Sequence, residues 1–346
     1  MACCATTTPQ EYHRILNPQF SRESKFEGCF AEGAAMTFWI FAVSLAFLLV
    51  AARIFTVAAE QVGRKMGFSP LVTGLVIVAI GTSLPELAAS VSAARSSQSE
   101  LISGNLLGSS LSNILLVLGL TALVAKRRVD LGDHYLYIDL HFLMATAWIV
   151  IVSFYDGKAS FGETQVGMLA YLVYLFYLLS TAKEGAPNSF EAQPGIWNRW
   201  SWLLLLLIGS GVVIDYSSRA AIDSLGKIAS AIGISPAVVS MTLLSLGTTL
   251  PEAVVSVLAA RRGKAELAVG NVLGSCIFNG LAIPGIVTWL SPISVPSELI
   301  GFSLPVYASA VLFFYLLTQD KKISPYEGAV LVLMYLLFLG KVARVI

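Results

Sequence analysis

The apolar positions of this chain come in long unbroken runs, not in the alternation of half-buried strands or the one-sided stripe of surface helices. Ten such segments are read at about 37–60, 70–95, 101–125, 136–155, 162–181, 200–227, 236–260, 265–290, 299–318 and 325–344. Wound as α-helix at about 1.5 Å per residue, each is long enough to cross roughly 30 Å of hydrocarbon. The most polar interior stretch, KEGAPNSFEAQPGIWNR at 183–199, separates five segments from the next five. Residues 1–35 are polar and irregular, lack the apolar run of a cleavable signal, and end just before Met36 and the first segment. The pattern predicts an all-α polytopic membrane protein of ten transmembrane helices. Its parts are a tail at 1–35, a first unit at 36–182, a cytoplasmic linker at 183–199 and a second unit at 200–346.

One sequence is written twice within that pattern. Residues 80–113 read IGTSLPELAASVSAARSSQSELISGNLLGSSLSN, and residues 246–279 read LGTTLPEAVVSVLAARRGKAELAVGNVLGSCIFN. Gly81 and Gly247, Pro85 and Pro251, Glu86 and Glu252, Asn105 and Asn271, Ser109 and Ser275, and Asn113 and Asn279 are all 166 residues apart. Ser69-Pro70 and Ser235-Pro236 keep the step, as do Arg53 and Arg219. Five segments is an odd number, so the second copy enters the bilayer upside down. The expectation is two inverted five-helix repeats, with broken helices meeting near the midplane.

Charge adds orientation and removes whole classes of function. The composition is 56% hydrophobic and 12% charged, against about 25% charged in soluble domains. A net charge of +1 leaves no footprint for nucleic acid. Twelve basic residues between segments fall on one side and three on the other, which predicts that the basic side is cytoplasmic and both termini face outward. The expected location is the cell membrane, inner or plasma. The four cysteines have no metal or disulfide spacing, and no HExxH motif or nucleophile–base pair argues for an enzyme.

The repeated motif carries the candidate chemistry. A proline inside a helix lacks a donor and clashes with the carbonyl four residues back, here Gly81 or Gly247. A helix so interrupted frees carbonyls, which are tolerated at membrane depth only where they line a cavity or find a partner. Thr82 and Ser83 in one copy, and Thr248 and Thr249 in the other, place hydroxyls beside the break, and Glu86 and Glu252 supply charge. Ser109 and Asn113, and likewise Ser275 and Asn279, are four apart and share a helix face. Every donor is an oxygen, which suits a hard cation such as Ca²⁺ with six to eight ligands. Two carboxylates cancel one Ca²⁺ or accommodate more than one Na⁺, and a site that holds either in turn is the basis of antiport. Gly104 and Gly108, and Gly270 and Gly274, form paired GxxxG motifs for close helix packing. Ser90, Ser92 and Ser256 are read as packing residues.

At GTSLPE and GTTLPE, each followed by GN(L/V)LGS, the chain resembles the sodium/calcium exchanger family of the cation/calcium antiporter superfamily. It is most similar to prokaryotic members, because the central linker is short. The resemblance implies a core of the second, third, seventh and eighth helices, across which the first and sixth slide. It implies that Glu86 and Glu252 coordinate Ca²⁺ and share Na⁺ sites. Thr82, Ser83, Thr248, Thr249, Ser109 and Ser275 would supply oxygens. The carbonyls of Ala79 and Ser245 would be further ligands, and Asn113 and Asn279 would complete the site. Three positions depart from the pattern: Asn279 stands where many relatives carry Asp, Thr249 where Ser is usual, and Ser245 where Ala is usual. Asn279 weakens any case for K⁺ co-transport.

The function expected is a secondary antiporter moving Ca²⁺ against Na⁺ by alternating access, in a lipid bilayer, with both ions as substrates and no cofactor. The alternatives are a Ca²⁺/H⁺ exchanger, in which the two glutamates carry protons, and a cation channel with oxygen-lined filters.

Overall fold

The computed structural model describes residues 18–95, 99–125, 129–130, 138–181, 199–231 and 236–345. Side chains are described from residue 36 onward, apart from 129–130, 222, 225–226, 228–245 and 343–345. In chain order the helices are α1 (Pro18–Met66), α2 (Pro70–Arg95), α3 (Ser99–Val124), α4 (Leu140–Phe154) and α5 (Phe161–Thr181). They continue with α6 (Trp200–Ala231), α7 (Pro236–Arg261), α8 (Ala265–Val287), α9 (Leu299–Leu317) and α10 (Pro325–Val345). Among the described residues, eight of these helices are long and apolar enough to cross a membrane: α1, α2, α3, α5, α6, α8, α9 and α10. The chain is thus a polytopic α-helical membrane protein. At 15 residues, α4 is shorter than the segment read from hydropathy.

One expectation changes at this level, and another falls outside what the structure describes. The polar stretch before Met36 is not irregular throughout, because α1 already begins at Pro18. Helix growth is cooperative, so a long apolar helix extends readily into neighbouring sequence that contains helix formers. The linker at 183–199 lies outside the described residues except for Arg199.

Burial sorts the helices into a centre and a rim. The apolar stretch of α8 is 94% buried and that of α3 is 72% buried, whereas α10 is only 22% buried. Large apolar side chains face outward on the rim, among them Trp39 and Phe47 of α1, Phe176 of α5, Ile208 of α6 and Leu337 of α10. A soluble protein rarely exposes so much contiguous apolar surface, and a bilayer accounts for it. The main core gathers Leu75, Leu107, Leu111, Ile114, Leu273 and Ile277 from α2, α3 and α8, with side chains from α4, α5, α9 and α10. A second cluster joins α1 and α6 through Leu48, Ala52, Phe55 and Ile214, and seats them against Val255 and Ala259 of α7. Glu60 of α1 pairs with Arg64 at 2.6 Å and with Lys264, which precedes α8.

The two halves repeat each other further than the motif indicates. Strand β1 (Val129–Asp130) pairs antiparallel with β4 (Lys322–Ile323), and β2 (Lys158–Ala159) pairs with β3 (Ile293–Ser294). Each first-half strand therefore pairs with a second-half strand, in crossed order. The turns before α5 and α10 also match. Gly157 has φ +87° and Lys321 has φ +62°. The amide of Lys158 donates to Asp156 at 3.2 Å, and that of Lys322 to Asp320 at 3.3 Å. Both helices then open with a reciprocal capping box. The Ser160 amide donates to Glu163 at 2.8 Å, and the Ser324 amide to Glu327 at 2.5 Å.

Candidate functional site

Two copies of the motif meet at the centre of the fold, and each reaches the meeting point through local distortion. In α2, a π-helical stretch at Thr73–Val78 leads into Ala79–Thr82; the helix then stops at Ser83 and resumes at Leu84. Ser83 sits at φ −88°, ψ 5°, in the sparsely occupied bridge region common at functional sites. Pro85 has no N–H, so the Gly81 carbonyl lacks its helical donor. The hydroxyls of Thr82 and Ser83 and the carboxylate of Glu86 flank this interruption.

The second copy corrects the expectation of two broken helices. Helix α7 stays helical across Pro251. Proline removes a single hydrogen bond, and the bonds on either side keep the helix wound, although the Gly247 carbonyl still loses its donor. The following helices distort alike. A π-helical stretch at Ser112–Val117 of α3 carries Asn113 as its second residue, and one at Phe278–Ala282 of α8 carries Asn279 as its second residue. Such extra-residue turns recur at functional sites because they redirect side chains.

Glycine lets α2 and α8 come together. A Cβ at Gly270 would lie 2.4 Å from the Leu71 carbonyl oxygen, and one at Gly74 would lie 2.3 Å from that of Leu267. At Gly274 it would lie 2.4 Å from the Leu75 oxygen. The backbones touch where any side chain would separate them.

Hydrogen bonds between side chains of the two motifs then join the halves at the site. Ser83 Oγ donates to Glu252 Oε1 at 3.1 Å, and Asn279 Nδ2 donates to Ser109 Oγ at 3.3 Å. Thr82 Oγ1 donates to Asn271 Oδ1 at 3.1 Å, and Thr248 Oγ1 donates to Asn105 Oδ1 at 3.2 Å. The last two bonds are the same contact made twice with the halves exchanged.

The site is sealed and its polar atoms are under-used. Glu86, Glu252, Ser83, Ser109, Asn113, Ser275 and Asn279 are fully buried, and Thr82 and Thr249 nearly so. Thr248 is half-buried. Among the described residues, both oxygens of Glu86, Oε2 of Glu252, both amide atoms of Asn113, Oδ1 of Asn279 and Oγ of Ser275 have no hydrogen-bond partner. More than nine-tenths of buried polar groups in folded proteins are paired, so a cluster of orphans needs a ligand to explain it. The Ala79 carbonyl is buried with them; it accepts the Ser83 amide at 3.0 Å and lies 3.4 Å from the Thr82 hydroxyl. Ser245 lies in α7, but its side chain is outside the described residues.

The donor chemistry is narrow. Among the described residues, no group of three or more His, Cys, Asp and Glu side chains gathers as a metal cluster. A cation at this site would be held by two carboxylates together with hydroxyl, amide and carbonyl oxygens, the environment of a hard ion. Three residues that bond at the site are not singled out in the sequence analysis. Asn105 and Asn271 had been noted only as repeated positions, yet their amides receive the threonine hydroxyls. Ser256, read from the sequence as a packing residue, accepts from Asn271 Nδ2 at 2.8 Å, while its counterpart Ser90 Oγ is buried and has no hydrogen-bond partner among the described residues. The 166-residue step was the signal that marked both pairs.

Comparison with known proteins follows the same lines. The family described as "Sodium/calcium exchanger protein" matches residues 36–180 and 202–342. The Sodium/calcium exchanger MaX1 of Methanosarcina acetivorans is 29% identical over 348 residues, covering 88% of this chain and 97% of the relative. The Putative antiporter CaxA of Alkalimonas amylolytica is 28% identical over 304 residues, covering 85% and 94%. Among solved structures, the sodium-calcium exchanger NCX_Mj, soaked with Na⁺ and Sr²⁺, superposes with a TM-score of 0.75 at 26% identity, covering 88% of this chain and 97% of that one. With both copies of the motif inside the matched residues, the chain belongs to the sodium/calcium exchanger family.

Proposed function

We propose that this protein is a secondary antiporter that exchanges Na⁺ for Ca²⁺ by alternating access, binding the ions among α2, α3, α7 and α8. The observation that carries the reading is the sealed cluster of unpartnered oxygens around Glu86 and Glu252. Two buried carboxylates without a basic partner are costly, and a cation offsets that cost. One Ca²⁺ balances both charges, and so does more than one Na⁺ taken together, so the two occupancies exclude each other. Mutual exclusion at one site couples the two fluxes.

In this reading the chain forms ten transmembrane helices in two inverted repeats, at 36–182 and 200–346. The crossed strand pairings and the reciprocal Thr82–Asn271 and Thr248–Asn105 bonds support it. The basic loops face the cytoplasm of a cell membrane and both termini face outward. The protein is not an enzyme, and it needs no cofactor.

The experiment is isotopic Ca²⁺ uptake into proteoliposomes under an imposed Na⁺ gradient. Uptake that follows the gradient and is lost in Glu86→Gln supports the proposal. Uptake driven by a pH step and indifferent to Na⁺ would move the protein to Ca²⁺/H⁺ exchange. Unitary currents in a planar bilayer would move it to a channel.

A further inference from the structure

The GN dipeptide of each motif has no part in the ion chemistry described above, yet both asparagines point into the site. We infer that Asn271 and Asn105 are positioning residues, which take the hydroxyl protons of Thr82 and Thr248 so that lone pairs of those oxygens face the ion. The inference deepens the proposed function and rests on it.

A threonine hydroxyl has one proton and two lone pairs. It ligates a cation well only if the proton is directed elsewhere. Thr82 faces three acceptors: Asn271 Oδ1 at 3.1 Å, from the other half, the Ala79 carbonyl at 3.4 Å, from its own helix, and the Glu252 carboxylate across the site. Donation to Ala79 would occupy a carbonyl that belongs to the site. Donation to Glu252 would tie up an oxygen of the acid itself. Donation to Asn271 leaves the acid, the Thr82 lone pairs and the second lone pair of the Ala79 carbonyl available, the first already taken by the Ser83 amide.

The amide itself is held in the right sense. Asn271 Nδ2 donates to Ser256 Oγ at 2.8 Å and lies 3.5 Å from the Glu252 carbonyl. A carbonyl can only accept, so the NH₂ end faces Glu252 and the oxygen end faces Thr82. The same amide thereby links the backbone beneath one acidic residue to a hydroxyl of the opposite copy. In the other half, Asn105 Oδ1 receives Thr248 at 3.2 Å, but Asn105 Nδ2 and Ser90 Oγ are both buried without a partner. Asn271 is therefore pinned at both ends and Asn105 at one. Substitution should cost more at Asn271.

The test is a double-mutant cycle in proteoliposomes, reading KM for Ca²⁺ and for Na⁺ separately from the maximal rate. Thr82→Val removes the hydroxyl at constant shape, and Asn271→Leu removes its acceptor. Each alone should raise KM by roughly tenfold, the scale of outer-shell effects on cation sites. The pair together should cost no more than either one. In an Asn271→Asp background, which restores an acceptor, Thr82→Val should again raise KM. Should Asn271→Leu not fold, Ser256→Ala takes its place, with a smaller rise of the same sign that vanishes in the Thr82→Val background. Multiplicative effects of Thr82→Val and Asn271→Leu, or of the Ser256→Ala substitute, would overturn the inference and leave Thr82 a ligand. A Thr82→Val protein with unchanged KM for both ions would instead remove Thr82 from the site, and the inference with it.

Discussion

The Ser83 hydroxyl reaches across the middle of the protein to the Glu252 carboxylate, 3.1 Å away and 169 residues further along the chain. The acid of one motif is thus held by the interrupted helix of the other. Neither copy forms this buried cluster alone. Removing the hydroxyl in Ser83→Ala should weaken Ca²⁺ and Na⁺ binding together, by about 1–3 kcal/mol, the usual cost of leaving a buried acceptor without its donor. Isothermal titration in detergent would measure it, and an unchanged affinity for both ions would contradict it.

Glu86 and Glu252 should not be equivalent. Glu252 accepts the Ser83 hydroxyl within the site, whereas neither oxygen of Glu86 has a hydrogen-bond partner among the described residues. Glu86→Gln and Glu252→Gln should each lower Ca²⁺ affinity by at least about tenfold, or 1.4 kcal/mol. Glu252→Gln should also loosen Ser83. Paired flux and binding measurements on the two variants would separate the effects: affinity lost with folding intact is expected for both.

The contact between α2 and α8 predicts a sharp contrast among glycines. Gly270→Ala would set a methyl group 2.4 Å from a backbone oxygen, and backbone cannot rotate away. Thermal unfolding in detergent should show a loss of about 1–3 kcal/mol or more. Gly340→Ala in α10, where a Cβ meets nothing within 4 Å, should be neutral or slightly stabilising, by up to about 1 kcal/mol. Equal behaviour of the two variants would refute the close approach.

Glu60 is 12% exposed and faces both Arg64 and Lys264. Lys264→Ala leaves it one partner and frees α1 from the segment before α8. The expected loss is modest, about 1 kcal/mol for a pair open to solvent on one side, and it should shrink as salt rises. Unfolding curves at low and high ionic strength would show this, and a salt-independent loss would argue against an ionic cause.

The acids were legible because a carboxylate in an apolar run is conspicuous, and its repetition at a fixed step left little room for accident. The oxygen-only donor set could likewise be read from the residues around them. What escaped was what depends on distant partners. Asn105 and Asn271 looked like ordinary helix amides because their threonine partners lie in the other half. The unbroken course of α7 escaped because a proline rule counts one lost bond and not the bonds that remain. The likeness of the turns before α5 and α10 escaped for another reason. There the step slips from 166 to 164 residues, and only Asp156 and Asp320, Lys158 and Lys322, Ser160 and Ser324, and Glu163 and Glu327 keep their identities.

Where Gly74, Gly270 and Gly274 let main chain rest on main chain, nothing larger than the Ala79 methyl comes between the two helices. That contact has no long side chain to change rotamer. Such a seam acts as a weld. If the carboxylates are exposed by turns to the two sides, as the proposed exchange requires, the structure puts the burden of movement on the helices around that weld and not on the weld itself.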